Sequence, residues 1–432
     1  MSLRTNEQHF VRIGDVCISV ADGDWIETKD QSDEGYRLLQ IGNIGVGRFR
    51  ESGKSRFVSE ETFRRLNCTQ IEIGDVLIAR MPDPTGRAWC VDEEIPPSIT
   101  SVDVAIARVD QSKMDAKFLS YFFNSPVTLA RIAGMQTGST RQRIKRSDLL
   151  DLQIALFALN VQKSIASLLG ALDKKIELNN RTAKTLEGIA QAIFRSWFID
   201  FDPVKAKMAG EKPVGMDDAT AALFPDSMED SELGPIPSGW NVRSLADIGE
   251  FRNGLAMQKF PVIDDENVLP VIKIAQLRAG NTAGADRASG LIDSKFVISD
   301  GDILFSWSGT LEIEHWAGGQ GALNQHLFKV LGKTVPDWFI YFSSRNHLPD
   351  FRRIASGKAT TMGHIQRGHL AEAKVAVPPV ALLTSIGELF SSLVSEKVAL
   401  VVQNRALAEL RDALLPRLIS GELQIPEEML GV

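Results

Sequence analysis

The sequence predicts an α+β protein with an internal repeat, in which two globular segments of mixed helix and strand are each followed by a long helix. Two observations lead to this prediction. Apolar residues recur every seven positions in 165–197 and again in 386–418, and similar strand-like runs precede each helix. The chain of 432 residues is long enough for several domains with cores of their own.

The first long helix is predicted from about Asn160 to Phe198. The two rows of its stripe are Ile165, Leu172, Asn179, Leu186 and Ile193, and Leu169, Ile176, Ala183, Ala190 and Trp197. Steps that alternate between three and four residues are typical of a coiled-coil seam. At ~1.5 Å per residue the helix would be roughly 58 Å long, against an average of ~12 residues, so we expect it to span part of the molecule.

The second long helix repeats this pattern 221 residues later. Its first row is Ile386, Leu393, Leu400, Leu407 and Leu414. Its second row is half polar, because Phe390 and Leu418 alternate with Lys397, Asn404 and Arg411. The matched offset argues against two unrelated core helices that share a period by chance.

The globular segments repeat as well, with insertions that differ between them. Corresponding runs include a glycine-aspartate turn before a β-branched strand, and a later pair aligns Tyr121 with Tyr341. The corresponding runs are IGDV at 13–16 and LADI at 245–248, LLQIGNI at 38–44 and VIKIAQL at 271–277, IEIGDVLIAR at 71–80 and ISDGDILFSW at 298–307, and KFLSYFFNS at 117–125 and DWFIYFSSR at 337–345.

Five segments follow from these patterns. They are a globular segment (1–150), a long-helix segment (151–198), an acidic linker (199–238), a second globular segment (239–375) and a final long-helix segment (376–425). The net charge is −7, but residues 199–235 alone contribute −6, with nine acidic residues and three lysines. The remainder is close to neutral, so either globular segment could present a basic face to nucleic acid.

Two basic stretches lie at corresponding places before the long helices. GSTRQRIKR at 138–146 and FRRIASGKATTMGHIQRGH at 351–369 combine glycine, hydroxyl residues and cations without an acid, which suits phosphate and base contacts. A single charge run is usually a solvated surface, but two corresponding runs favour DNA contact. With the loops after the GDVL and GDIL strands, the candidate DNA-binding residues are Arg80, Arg87, Ser139, Thr140, Arg141, Arg143, Lys145, Ser308, Lys358, Thr360, Thr361, His364 and Arg367.

Several other chemistries find no support in the sequence. GRFRESGKS at 47–55 has five residues between its glycines where a P-loop has four, and it lacks a preceding apolar strand. We find no glycine-rich cofactor loop and no metal-ligand spacing among the six histidines. No apolar run is long enough to span a membrane, and the three cysteines are sparse, so a reduced cytoplasmic protein is expected.

The chain resembles the specificity subunit of type I restriction-modification systems over nearly all of its length. The segments that carry the resemblance are IFRSWFIDFDPVKAK at 193–207, AALFPDSMEDSELGPIPSGW at 221–240 and LLPRLISGEL at 414–423. The resemblance implies that each globular segment is a target recognition domain for one half of a bipartite sequence in double-stranded DNA. The long helices would pair as an antiparallel coiled coil, set the spacing and dock two methyltransferase subunits that hold S-adenosylmethionine, to which restriction subunits can be added.

No cofactor is expected in the chain itself, and no catalysis. The spacer residues would be Leu172, Asn179, Leu186, Ile193, Leu393, Leu400, Leu407 and Leu414. Asn179 is expected to fix the helix register at some cost in stability, so that leucine there should raise the melting temperature. Two alternatives stay open: a nucleic-acid enzyme that acts alone, and a coiled-coil scaffold or degenerate specificity subunit without DNA readout.

Overall fold

The computed structural model describes residues 9–138, 141–263, 265–357, 363–426 and 428. The chain divides into two compact units, and the boundaries fall inside the long helices. The first unit contains the chain up to Lys174 together with the residues from Leu407 onward, and the second contains Lys175–Ala406.

Within its described residues the first unit contains nine strands, four complete helices, the start of one long helix and the end of a second long helix. The strands are β1 (Phe10–Arg12), β2 (Cys17–Asp22), β3 (Tyr36–Leu39), β4 (Phe57–Val58), β5 (Asp75–Ala79), β6 (Ala88–Cys90), β7 (Ser98–Thr100), β8 (Val104–Val109) and β9 (Gln153–Ala155). The helices are α1 (Glu60–Leu66), α2 (Ala116–Asn124), α3 (Pro126–Gly134), α4 (Arg146–Leu150) and the long helix α5 (Leu159–Phe198). We call β1–β9 with α1–α4 the first head.

The second unit contains the remaining elements. Its strands are β10 (Met228–Glu229), β11 (Ile236–Pro237), β12 (Asn241–Ser244), β13 (Gly249–Asn253), β14 (Val268–Ile272), β15 (Arg287–Ser289), β16 (Val297–Ile298), β17 (Ile303–Ser306), β18 (Ile313–His315), β19 (Gly321–Leu323), β20 (Leu327–Gly332) and β21 (Lys374–Val377). Its helices are α6 (Asp202–Met208), α7 (Asp218–Ala222), α8 (Leu245–Ile248), α9 (Ile274–Ala279), α10 (Asp337–Ser356), α11 (Arg367–Glu372), α12 (Val380–Ser385) and the long helix α13 (Gly387–Ser420), which ends in the first unit. We call β12–β21 with α8–α11 the second head.

The two heads share one strand topology. The antiparallel sheet of the first head has the order β2-β8-β5-β6, and that of the second has the order β13-β20-β17-β18. A parallel pair follows in each, β3 with β7 and β14 with β19, and the first and last strands also pair, β1 with β9 and β12 with β21. The predicted internal repeat of α+β domains is therefore confirmed in strand order as well as in sequence.

The glycine-aspartate turns begin corresponding central strands, as predicted. Gly74 and Gly301 have φ values of +92° and +94°, a left-handed conformation that glycine adopts without a steric penalty. Each turn leads directly into a strand, β5 or β17, whose residues are all buried. The turn thus sets the direction in which the strand enters the core.

The segment 199–238, predicted as an acidic linker, contains short helices and strands of its own. It forms α6, α7 and the β10–β11 pair, and its apolar residues Val204, Phe224 and Ile236 are at most 3% exposed in the core of the second unit. The Lys207 ammonium donates to the backbone carbonyls of Ala221 and Phe224. The acidic residues gave the segment a linker-like composition, but the apolar residues between them bury enough surface to hold it.

The core of the second unit is dominated by aromatic side chains around Phe390 of α13. Phe390 is fully buried and stacks on Trp338 of α10, with ring centroids 4.3 Å apart. Phe194 and Phe198 of α5 also contact Phe390, with ring centroids 6.3 and 6.1 Å away. The second head therefore packs on both long helices through one continuous cluster.

The long helices pair in an antiparallel direction, as expected. In the second unit Asn179 contacts Asn404 and Glu187 contacts Lys397, so residue numbers rise along α5 as they fall along α13. In the first unit Asp173 contacts Arg411, and Ile165 shares a core with Leu418. The helix limit predicted near Asn160 is confirmed within one residue.

Candidate nucleic-acid interface

The basic loop of the first head is a hairpin fixed at its base. Thr137 and Arg143 exchange two backbone hydrogen bonds of 2.9 and 3.0 Å, and the Ile144 amide donates to the Arg80 carbonyl at 3.0 Å. Arg141, Arg143 and Lys145 are exposed, and the described chain shows no ion pair to any of them. Unpaired cations on a closed hairpin are suited to phosphate contact. The predicted Ser139 and Thr140 lie outside the described residues.

Arg80 does not present the exposed guanidinium that the sequence suggested. It is 7% exposed, its Nε donates to the Ile144 carbonyl at 3.1 Å, and it forms an ion pair with Asp22. Asp22 is also 3.7 Å from the Arg146 guanidinium. Arg80 therefore holds the basic hairpin on the end of β5, a structural role that corrects the prediction of direct DNA contact.

The structure also corrects the prediction that Arg87 contacts DNA directly. It is 5% exposed and donates only to backbone carbonyls, those of Ile41 and Ile44 on one side and of Met81 and Pro84 on the other. Burial lowers the pKa of Arg87, and the charge of nearby Arg50 adds to this effect. The guanidinium joins two loops of the first head, and the peptide carbonyls replace the phosphate oxygens that the sequence suggested as acceptors.

The second head builds its loop with the same backbone contact. The Ile365 amide donates to the Trp307 carbonyl at 2.9 Å, and Gly309 donates to Gly363 at 2.8 Å. Arg367 is exposed at the start of α11, and His364 is half-buried. The predicted Lys358, Thr360 and Thr361 lie outside the described residues. The two basic stretches therefore occupy equivalent places in the two heads.

Ser308 is 4% exposed, so it is less accessible than predicted. Its hydroxyl lies 3.1 Å from Nδ1 of His326, and the His326 ring lies against Trp307, with centroids 5.6 Å apart. The hydrogen bond between the Ser308 hydroxyl and the His326 ring restricts the orientation of that ring. Sequence reasoning did not single out His326 because nothing in its local sequence marks it, and its contacts with Ser308 and Trp307 form only in the folded head.

Beside the basic loop of each head lies a pair of side chains. The two pairs occupy equivalent positions but differ in chemistry. In the first head the pair is Asp22 at the end of β2 and Arg80 after β5, joined as ions. In the second head it is Asn253 at the end of β13 and Trp307, whose indole Nε1 donates to the Asn253 side-chain oxygen at 3.0 Å. The two heads therefore differ in chemistry at equivalent positions beside their loops.

A glycine follows each of these strands, and the backbone packs closely there. A β-carbon on Gly23 would fall 2.2 Å from the Ser101 carbonyl oxygen, and one on Gly254 would fall 2.2 Å from that of Asn324. Such distances exclude any side chain unless the backbone moves. The same close backbone approach occurs in both heads, and it fixes the positions of the strand ends that carry Asp22 and Asn253.

Each head contacts its part of the helix pair through a tyrosine, a carboxylate and a cation. In the first unit the Tyr121 hydroxyl donates to Asp173 at 2.6 Å, and Arg411 binds the same carboxylate at 2.8 Å. This explains why Arg411 occupies a seam position that the heptad pattern reserves for apolar residues. Burial, more than the nearby Asp173, raises the pKa of Tyr121, so the phenol stays protonated and donates.

The second unit repeats this arrangement. Tyr341 donates to Glu187 at 2.9 Å, and Lys397 binds the other oxygen of Glu187 at 2.7 Å. Lys397 also pairs with Glu314 of β18 at 3.0 Å. Burial opposes ionisation of Glu187, but Lys397 and Arg345 outweigh it and lower the pKa of that carboxyl. Tyr121 and Tyr341, aligned from sequence, thus have equivalent roles.

The predicted spacer residues are partly or fully buried, and their spacer role stays a prediction. Asn179 is 1% exposed, whereas Leu172, Leu186, Leu400 and Leu407 are half-buried. Ile193 and Leu393 pack against the aromatic core of the second unit, and Leu414 packs against the core of the first.

Two kinds of site were sought among the described residues, a metal centre and a membrane-spanning helix. They include no group of three or more His, Cys, Asp or Glu side chains arranged to hold a metal ion. Within those same ranges no helix is both long and apolar enough to cross a membrane. Each unit thus combines a head of the shared topology, a basic loop and a part of the helix pair.

Comparison with known proteins identifies the family. The family model described as "Type I restriction modification DNA specificity domain" matches residues 6–188 and again 237–408. The HindI specificity subunit of Haemophilus influenzae is 24% identical over 405 residues, covering 82% of this chain and 87% of that protein. The MjaIX specificity subunit of Methanocaldococcus jannaschii is 26% identical over 321 residues, covering 72% and 70%.

A solved structure shows the same fold. The S subunit of the type I restriction-modification system from M. genitalium superposes with a TM-score of 0.52 at 15% identity, covering 97% of this chain and 98% of that one. The chain belongs to the family of type I restriction-modification DNA specificity subunits. It is accordingly a non-catalytic DNA-recognition subunit, and its two matched domains correspond to a bipartite target.

Proposed function

We propose that each head reads one half-site of double-stranded DNA through the face that carries its basic loop. One observation supports this most directly. The same backbone hydrogen bond joins the loop to the strand end in both heads, Ile144 to Arg80 and Ile365 to Trp307. The shared contact holds each loop in the same place, and the residues around it differ as two half-sites require.

We propose in addition that the helix pair sets the distance between half-sites and docks two methyltransferase subunits. S-adenosylmethionine would be bound by those partners, and restriction subunits could join the assembly. The tyrosine contacts at Asp173 and Glu187 support the spacing role, because they fix each head to a defined turn of α5. A cytoplasmic location stays a prediction.

The first experiment is co-expression with the candidate methyltransferase subunit, followed by mapping of methyladenine across the host DNA. A split motif with a fixed gap is expected. Inserting one helical turn within 172–190, with a matching turn in α13, should lengthen that gap. A stable complex that leaves the DNA unmethylated would contradict the proposal and favour a scaffold or a degenerate specificity subunit.

The loop contact has its own test. Arg141→Ala with Arg143→Ala should flatten the salt dependence of DNA binding by the complex. The log–log slope should fall by about 0.9 for each phosphate that the variant no longer neutralises, and thus by up to about 1.8. The matched control is Lys205→Ala with Lys333→Ala, two cations outside both loops. Equal slopes for the parent and the loop variant would show that the hairpin does not touch DNA.

A further inference from the structure

The segment 45–56 of the first head, GVGRFRESGKSR, carries a basic charge that the proposed reading loop does not use. Its four cations, Arg48, Arg50, Lys54 and Arg56, lie at the surface, and the described chain shows no ion pair to any of them. Its one acid, Glu51, is bound by Arg37 at 2.5 Å. The segment therefore presents four uncompensated positive charges to solvent.

Two of these charges, Arg48 and Arg50, lie on a hairpin closed between Asn43 and Arg50, and Lys54 and Arg56 follow it in the same segment. Asn43, 5% exposed, and Arg50 are joined at its base by a backbone bond of 2.9 Å and by the Asn43 side-chain amide, which donates to the Arg50 carbonyl at 3.0 Å. Gly45 donates to Arg48 at 2.9 Å across the turn, and Gly47 donates to Ala88 of β6 at 2.9 Å. A preformed loop loses less conformational entropy when it binds a charged partner.

The hairpin is physically joined to the proposed reading face. The Arg87 guanidinium binds the Ile41 and Ile44 carbonyls at the base of the hairpin, and the Met81 and Pro84 carbonyls in the loop after β5. Met81 directly follows Arg80, whose carbonyl accepts the Ile144 amide of the reading loop. Arg50 lies close enough to Arg87 to contribute to the lowering of its pKa. One buried arginine thus links the two basic loops.

The second head lacks an equivalent charge. Its corresponding segment, 278–290, holds two arginines and Asp286. Arg287 pairs with Asp265 at 3.1 Å, and Asp286 pairs with Lys273. Among the described residues of that segment, only Arg278 is a cation without an ion pair. The heads are matched in topology but not in electrostatics.

We infer that the segment 45–56, with the hairpin that ends at Arg50, is a sequence-independent clamp on the DNA backbone, next to the half-site that the first head reads. The first head would then supply the larger share of electrostatic affinity, and the second head would depend more on direct contacts to bases. Arginine and lysine side chains on a fixed loop are suited to phosphate oxygens. The inference rests on the proposed function and adds a second DNA-contacting element to it.

The test uses the full chain in complex with its methyltransferase subunit. The variant Arg48→Gln, Arg50→Gln, Lys54→Gln and Arg56→Gln is compared with Arg278→Gln and Arg287→Gln in the second head. Affinity is measured against salt, for DNA with the mapped motif and for DNA of equal length without it. We expect a slope lower by about 0.9 for each phosphate released, up to about 3.6, and at least tenfold weaker binding of both DNAs at ~0.15 M salt. The methylated motif and the second-head control should be unchanged.

Three results would overturn the inference: an unchanged slope, a loss confined to motif DNA, or failure of the variant to assemble with the methyltransferase. The second would make the hairpin a base-reading loop, and the third would make it a protein contact. Lys54→Gln with Arg56→Gln repeats the measurement with half the change if four substitutions prevent folding. A parent complex without any split motif refutes the proposed function itself, whereas a normal motif with an unchanged slope refutes only the clamp.

Discussion

Replacing Asn179 by leucine should destabilise the second unit as long as Asn404 remains, contrary to the sequence-based expectation for this seam position. The Asn179 amide donates to Gln403 at 2.7 Å and to Asn404 at 2.9 Å. Asn404 in turn donates to Asn180 at 2.9 Å and to the Ile176 carbonyl at 3.3 Å. Asn179 is thus one half of a buried amide pair.

The magnitudes follow from burial. Asn179 and Asn404 are 1% and 8% exposed, so water does not replace a missing partner easily. Leucine at 179 gains about 2 kcal/mol of apolar burial but loses two hydrogen bonds of about 1 kcal/mol each and leaves the Asn404 oxygen unsatisfied. A net loss of about 1 kcal/mol is expected for either single variant. The double leucine variant gains about 4 kcal/mol of apolar burial and loses the four hydrogen bonds of the pair at about 1 kcal/mol each, so its stability should stay close to that of the parent.

A double-mutant cycle measures this coupling directly. Thermal or denaturant unfolding of the parent, Asn179→Leu, Asn404→Leu and the double variant should give a coupling free energy of about 2 kcal/mol, which is within the range for contacting residues. Additive effects within about 0.5 kcal/mol would refute the reasoning, as would a stabilised Asn179→Leu single variant. Methylation mapping of the double variant then shows whether the amide pair also fixes the register, since a slipped register changes the gap.

Two further predictions concern the heads and their attachment. Gly23→Ala or Gly254→Ala should each lower the free energy of unfolding by about 3 kcal/mol or more, because the new β-carbon would overlap a backbone carbonyl. Gly188→Ala is the control and should not destabilise the protein, since the space around Gly188 is open. An unchanged melting temperature in both the Gly23 and the Gly254 variant would contradict the close packing. The pKa of Glu187 is lowered in the folded state, so the ionised carboxylate stabilises the fold above the ordinary glutamate pKa of 4.5, and this stabilisation is lost as pH falls below that value. Glu187→Gln should therefore lower the free energy of unfolding by about 2 kcal/mol at neutral pH, because Lys397 loses its charged partner on α5. Unfolding scans from about pH 7 to about pH 3 should therefore show a smaller acid-dependent loss in the variant than in the parent, and equal losses would show that another group is responsible.

The long helices and the repeat were accessible from sequence because their signals are local or periodic. A stripe sustained over five heptads located α5 within one residue of its observed start, and the glycine-aspartate turns marked β5 and β17. The reversed sign of the Asn179 expectation has a different origin. Its seam partner lies on the other helix, and the pattern of one helix does not contain it.

The burial of individual polar residues was not accessible in the same way. Arg80 and Arg87 stand in loop sequences that suit DNA contact, but their acceptors are a carboxylate and carbonyls distant in sequence. The polar seam residue Lys397 is accounted for only by Glu187 of the other helix and by Glu314, which comes from a strand of the second head. Such roles depend on which groups the fold brings together, and loop composition does not determine that.

The division of the chain also determines the order in which its parts can be completed during synthesis. The second unit is continuous in sequence, whereas the core of the first includes Leu415, Leu418 and Ile425 from the far end of the chain. At ~5–20 residues per second the ribosome needs roughly 10–50 s to make the intervening 175–406. The first unit is therefore translated first but completed last. Its apolar core surface stays accessible to chaperones until the residues from Leu407 onward have been made. A nick near the carboxyl end would loosen the amino-terminal head.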